Sequence, residues 1–200
     1  MGRRSNTVER RGQILKTAAA LFIRHGYINT SIRDIATRCG INVATIYHHI
    51  GSKSNILTLF HEYTMEHLQK KHREVLKAID HLAPAKALTF TVRKYLEWVE
   101  DYQDITIFWY QEAKNLTQEQ LRNLVEQEEY TVEVFKELLE KGVRAGEFHV
   151  SEPRMAAHNI VVLCDMWAFR RWLLKKHYTF DDFVEHQTKL ILAQVNAGQS

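Results

Sequence analysis

The chain has 200 residues, 45% of them apolar and 26% charged, which suits one or two domains with real cores and excludes a disordered or collagen-like protein. Its apolar runs fall short of the ~18 to 20 residues of a membrane helix, and Met1-Gly2-Arg3-Arg4-Ser5 is basic with no apolar stretch behind it, so a cytoplasmic protein without a membrane partner is expected. The net charge of +3 hides an asymmetry: residues 1–53 hold nine Lys and Arg against two acids, and the other 147 residues hold 18 against 22.

Only Pro84 and Pro153 interrupt long stretches in which apolar residues recur at three- and four-residue steps, and this predicts an all-helical chain. A first helix is predicted from about Val8 to His25, with Ile14, Leu15, Ala18, Ala19 and Phe22 on one face and Gly26 as its stop. A second starts at Thr30 or Ser31, where Ser31 and Asp34 have capping-box spacing, and ends at Gly40. A third runs from an Asn42 cap through His49, and Gly51-Ser52 then opens a longer fourth carrying Ile56, Leu57, Phe60 and Leu68. Further helices follow at Pro84 to about Asp101, at about Asp104 to Asn115, and from a Thr117/Gln120 capping box to Gly142–Gly146. The last two begin at caps on Ser151 and Thr179, the latter helix reaching about Ala197. The acids Glu126, Glu128, Glu129 and Glu133 are expected on a solvated face.

The second and third helices are short and joined by a four-residue turn containing glycine, which is the pattern of a helix-turn-helix. On a wheel of ~100° per residue, Asn42 and Ile50 fall within ~40° of Ile46, and Ala44 and His48 fall opposite. One face is core and the other is free. The free face offers Ala44 and His48 flanked by Thr45 and Tyr47, groups able to reach base edges or phosphates, with Val43 and His49 at its margins. Thr30 and Ser31 stand at a helix N-terminus suited to phosphate, Lys53 stands at another, and Arg33 lies one turn into the second helix. Arg3 and Arg4 begin a basic arm able to follow a phosphate backbone. The positive charge of this end points to double-stranded DNA as the partner.

The stretch "ILKTAAALFIRHGYINTSIRDIATRCGINVATIYHHIGSKSNIL" resembles the DNA-binding region of the TetR/AcrR family of bacterial transcriptional regulators over about residues 8–60. Ile50 stands where the family usually has Phe, and Cys39 where it has a small Ala or Leu; both are packing positions. The resemblance implies phosphate contacts for Tyr47 and Lys53, and a recognition helix at Val43 to His49. It further implies a DNA-binding domain at 1–53 and a helical effector-binding and dimerisation domain at 54–200. The expected protein is a regulator, by default a repressor, that binds a palindromic operator as a homodimer and is released by a small hydrophobic effector. The dimer is expected through the last two helices, with Phe180, Phe183, Val184, Gln187, Leu190 and Ile191 as its stripe. "FWYQEA" and "DMWAFRRWLLKK" set aromatic residues beside Arg170 and Arg171, which suggests an effector with an anionic end such as an acyl-CoA; Trp98, Phe108, Trp109, Trp167 and Arg170 are the candidate residues. An architectural DNA-binding protein of the same fold without small-molecule control is the alternative.

Nothing in the chain spells catalysis. No P-loop, dinucleotide glycine motif or GxSxG occurs, and His61-Glu62 begins an HExxH pattern that Met65 breaks. Cys39 and Cys164 have no metal-ligand spacing and are expected to be buried as small apolar residues. No catalytic residue, metal or cofactor is expected.

Overall fold

Backbone hydrogen bonds organise the chain into α1 (Gly2–His25), α2 (Ile32–Cys39), α3 (Val43–Ile50), α4 (Lys53–Ile79), α5 (Pro84–Asp101), α6 (Gln103–Glu112), α7 (Gln118–Arg144), α8 (Pro153–Leu174) and α9 (Phe180–Asn196), with a 3₁₀ turn at Ala113–Asn115. The structure is a computed structural model and describes residues 2–196. Met1, residues 197–200, and the side chains of residues 2–9 and of Tyr63 lie outside the described residues, so the expected roles of the Arg3 and Arg4 side chains fall there too. No strand occurs among the described residues. The expected all-α fold is the one observed.

Two compact units result. One runs up to Leu68 and includes Phe108–Leu124; the other joins Gln69–Ile107 to the chain from Val125 onward. The first unit therefore holds, besides the three helices expected in the domain at 1–53, the first half of α4, the end of α6, the 3₁₀ turn and the start of α7.

In the first unit, α2 and α3 have eight residues each, too short to persist alone in water, so packing must hold them. Ile46 and Ile50 are 1% and 2% exposed, and Ile35 is fully buried; each such side chain contributes about 1.5–3 kcal/mol. They meet Ile14, Ala18 and Phe22 of α1 within the same core. Phe108 and Trp109 close this core as well, with rings 6.2 Å from Phe22 and 5.6 Å from Phe60. In the second unit, α5 packs on α8 and α9, burying Leu88, Val92, Leu96 and Val99 against Ile160, Cys164 and Trp167.

The predicted caps are largely in place. Ser31 and Asp34 exchange hydrogen bonds at 3.1 and 2.7 Å, Thr117 and Gln120 at 3.2 and 3.1 Å, and Thr179 and Asp182 form a third such pair. Other expectations need correction. α1 begins at Gly2, well before Val8. α6 ends at Glu112 and continues as a 3₁₀ turn. The residue capping α8 is Glu152, which makes no side-chain cap bond; Pro153 follows it in the first turn, where a missing N–H costs nothing. Glu128 is drawn inward, where burial raises its pKa, so it is no part of a solvated face. Cys164 is buried as expected, while Cys39 is only half-buried.

Candidate nucleic-acid interface

The turn between α2 and α3 depends on Gly40, whose φ of +66° is left-handed. A side chain there costs about 1–2 kcal/mol. From this position the Gly40 N–H reaches the Ala36 and Thr37 carbonyls and closes α2. Asn42 then starts α3. Its Oδ1 accepts the Thr45 N–H at 2.7 Å and the Thr45 hydroxyl at 2.8 Å, so Thr45 presents its oxygen outward as an acceptor.

With Ile46 and Ile50 buried, α3 turns Ala44, Tyr47 and His48 to solvent, Tyr47 being 50% exposed. Val43, Thr45 and His49 are half-buried at the edges, and the His48 and His49 rings meet edge to face at 5.3 Å. The face is small, polar and aromatic, of a size to enter a major groove. Next to it the first turn of α2 carries exposed Ser31 and Arg33. The Ser31 hydroxyl, followed by the Ser31 backbone, holds the Asp34 carboxyl below its ordinary pKa, which keeps it ionised and fixed on the cap.

Thr30 is put to another use than the one expected. It is 2% exposed, and its hydroxyl donates to the Gly26 and Leu21 carbonyls at 2.9 and 3.3 Å. Burial and those bonds make it a brace for the α1–α2 turn, with nothing left to offer a phosphate.

Lys53 opens α4 and is tied to a group that sequence reasoning missed. Its Nζ lies 4.2 Å from the centre of the Tyr27 ring and donates to the Ile28 carbonyl at 3.4 Å. The Tyr27 N–H donates to Glu112 at the end of α6 at 3.1 Å, and Asn115 donates to the other carboxylate oxygen at 2.8 Å. Partial burial lowers the Lys53 pKa, and the charges of Glu112 and Asp34 work against that. Glu112 is 7% exposed. Its 85-residue separation from Tyr27 leaves no local signal of the pairing.

The other candidates are dispersed. Phe108 and Trp109 are core of the first unit, whereas Trp98 and Trp167 are buried in the second. Trp167 donates its indole N–H to Glu100 at 2.6 Å, and Glu100 pairs with Arg171 at 2.5 Å; Arg170 is exposed. On α9, Phe183, Val184, Gln187 and Ile191 are buried within their own unit and Phe180 is half-buried, which leaves Leu190 at 64% exposure as the outward member of the expected stripe. Leu163 and Trp172 of α8 are also exposed. Among the described residues no helix is long and apolar enough to cross a membrane.

Comparison with known proteins gives two family matches: "Bacterial regulatory proteins, tetR family" at residues 14–58, and "Tetracyclin repressor-like, C-terminal domain" at residues 81–173. The transcriptional regulator HbdR of Aromatoleum sp. (strain CIB) is 26% identical over 188 residues, spanning 92% of this chain and 80% of its own. The transcriptional repressor KstR2 of Rhodococcus jostii (strain RHA1) is 30% identical over 149 residues, 70% of this chain and 68% of that protein. Among solved structures, AibR in complex with isovaleryl coenzyme A and operator DNA superimposes with a TM-score of 0.77 over 90% of this chain and 97% of that one; at 23% identity this likeness speaks for the fold.

Proposed function

The chain belongs to the TetR family of bacterial regulatory proteins, and on that premise we propose that it is a repressor that binds a palindromic operator as a homodimer and is released by a small hydrophobic effector. As a transcriptional regulator and not an enzyme, it acts through differences in binding. Residues 1–53 form the DNA-binding domain and 54–200 the effector and dimer domain. The observation that carries the reading is the division of α3 into a buried side, Ile46 and Ile50, and a free side, Ala44, Tyr47 and His48.

Each residue has a part in the proposal. Tyr47 and Lys53 grip phosphates with help from Ser31 and Arg33, while Val43, Ala44, Thr45, His48 and His49 meet base edges. The dimer forms on the outer sides of α8 and α9, where Leu163, Trp172 and Leu190 stand in solvent, since most of the stripe expected on α9 is already buried at home. An effector that binds the DNA-competent arrangement less well than its alternative lowers operator affinity by that difference. An acyl-CoA is the leading effector class, supported by the isovaleryl coenzyme A bound to the structurally similar AibR.

The test is a duplex selected from a random pool by the purified protein, titrated against variants at several salt concentrations. Lys53→Ala weakens every duplex and reduces the salt slope by about 0.9 for each lost phosphate contact. Thr45→Ala and His48→Ala change which duplex is preferred. A uniform loss from all three variants would refute the assignment of α3 as the reading helix. Adding isovaleryl coenzyme A or a long-chain acyl-CoA to the bound duplex at micromolar concentration tests effector control, and an unchanged complex with both discards that class.

A further inference from the structure

The first turn of α4 does more than carry Lys53. The Ser52 hydroxyl accepts the Asn55 N–H at 3.0 Å and so caps the helix. Asn55 turns its side-chain amide back to the Ile50 carbonyl, to which Nδ2 donates at 2.5 Å. That carbonyl is one of the last four of α3, which no N–H of the same helix can reach. The end of α3 is thereby fastened to the start of α4.

A second tie arrives from far along the chain. Gln120 of α7 donates from Nε2 to the Ser54 carbonyl at 2.9 Å and to the Thr58 hydroxyl at 3.3 Å. Its Oε1 is already committed, accepting the Thr117 N–H at 3.1 Å in the α7 capping box. A flipped amide would set its NH2 against the Thr117 N–H and its oxygen against the Ser54 carbonyl, so the two partners fix its orientation. A capping box takes Glu or Gln at this place. Here only an amide serves, because one end must accept while the other donates. Ser54 and Asn55 are neighbours, so the tie from α7 and the tie to α3 meet in one turn, and all of these residues belong to the first unit.

α3 needs such support. It has eight residues and buries only Ile46 and Ile50. Two apolar anchors on one side hold so short a rod down without fixing its tilt, whereas hydrogen bonds are directional. Side chains that read base edges must be held within about 0.5 Å of their productive places, and that depends on the groups behind them.

We propose that Gln120 and Asn55 are positioning residues for sequence discrimination: through the first turn of α4 they set the tilt of α3, so that without them the protein still grips a duplex but distinguishes its operator less well. The proposal rests on the reading of α3 as the helix that meets base edges. It adds two residues that touch no base and act through Ser54 and Ile50.

The experiment uses the full-length protein and reads, by fluorescence anisotropy, the ratio of affinities for the selected duplex and for a scrambled duplex of the same length and composition. Gln120→Glu keeps the acceptor for Thr117 and loses the donor to Ser54, so Tm stays near that of the parent while the ratio falls about fivefold, the worth of one net hydrogen bond. The charge it adds weakens both duplexes alike and cancels in the ratio. Asn55→Leu lowers the ratio to a similar extent. The double variant falls no further than the worse single one, since both changes break the same path. A parent-like ratio in either single variant, with Tm lowered or not, or losses that multiply in the double variant, overturns the proposal. Thr45→Ala and His48→Ala in the same assay separate the two failures. An unchanged ratio in those variants refutes α3 as the reading helix; a ratio that they alter and Gln120→Glu does not refutes the ties alone.

Discussion

Glu112 is the residue whose replacement most directly tests how the turn before α2, and Lys53 against it, is held. It ends α6 in a buried place, where a carboxylate gains nothing from the helix dipole, and it stays because Tyr27 and Asn115 donate to its two oxygens at 3.1 and 2.8 Å. Glu112→Ala leaves the Tyr27 amide without its charged acceptor, at a cost of about 2 kcal/mol. In a chain of this size that lowers Tm by roughly 4–8 °C. Glu112→Gln keeps an oxygen for the amide and loses only the charge assistance, so it costs about half as much or less. The consequence for DNA is smaller and follows from the Tyr27 ring under the Lys53 ammonium at 4.2 Å. A cation–π contact of about 0.5–1 kcal/mol, once loosened, reduces duplex affinity about two- to five-fold per protomer. Thermal melting and fluorescence anisotropy on a labelled duplex measure the two effects side by side. Equal damage from the Gln and Ala variants would show that charge, and not the acceptor, is what matters. A lower Tm with unchanged duplex affinity would show that Tyr27 does not position Lys53.

Three other perturbations bear on the second unit. Leu190→Lys should leave the protomer folded, because the side chain is 64% exposed, and should shift sedimentation toward monomer; an intact dimer places the interface elsewhere. The folded pKa of Asp165, about 8, lies above its ordinary 3.8, so its contribution is fully present below pH 3.8 and is lost as pH rises toward 8. Chemical denaturation between pH 6.5 and 8, above the ordinary His72 value of 6.5, should show stability falling with pH in the parent and falling less in Asp165→Asn; parallel slopes would contradict the buried neutral acid. In Gly142→Ala the new Cβ would lie 1.9 Å from Phe148 Cδ2. The overpacking cost of about 1–3 kcal/mol outweighs the ~1 kcal/mol that alanine brings to a helix, so the urea midpoint falls. In a Phe148→Ala background the same change should be neutral or stabilising.

Local chemistry made most of the fold readable in advance. Ser31 with Asp34, Thr117 with Gln120, Pro84 at a helix start and Gly40 at a helix end each act within a turn or two of chain, and each stands where the residue types predict. The same holds for α3, whose buried and free sides follow from the spacing of Ile46 and Ile50 alone. The misses have local causes too. Ser151 stands one residue ahead of the observed cap, Glu152, and neither the basic stretch before Val8 nor the run of acids after Leu124 reveals that a helix begins earlier or that Glu128 turns inward.

The candidate site was legible only where it is made of neighbours in sequence. Tyr27 with Glu112, Tyr95 with Asp165 and Trp167 with Glu100 are separated by 85, 70 and 67 residues. No periodicity relates such partners, and only the assembled helices do. Aromatic composition does not sort these residues: Phe108 and Trp109 share the richness of Trp98 and Trp167, yet α6 carries the first two into the unit that holds α3. The same long-range pairing gives Arg171 to Glu100, a partner that "DMWAFRRWLLKK" alone does not reveal. An arginine next to a tryptophan in sequence suggests an anion site; in the fold the anion that meets Arg171 is Glu100 of α5, 71 residues away and 2.5 Å from its guanidinium.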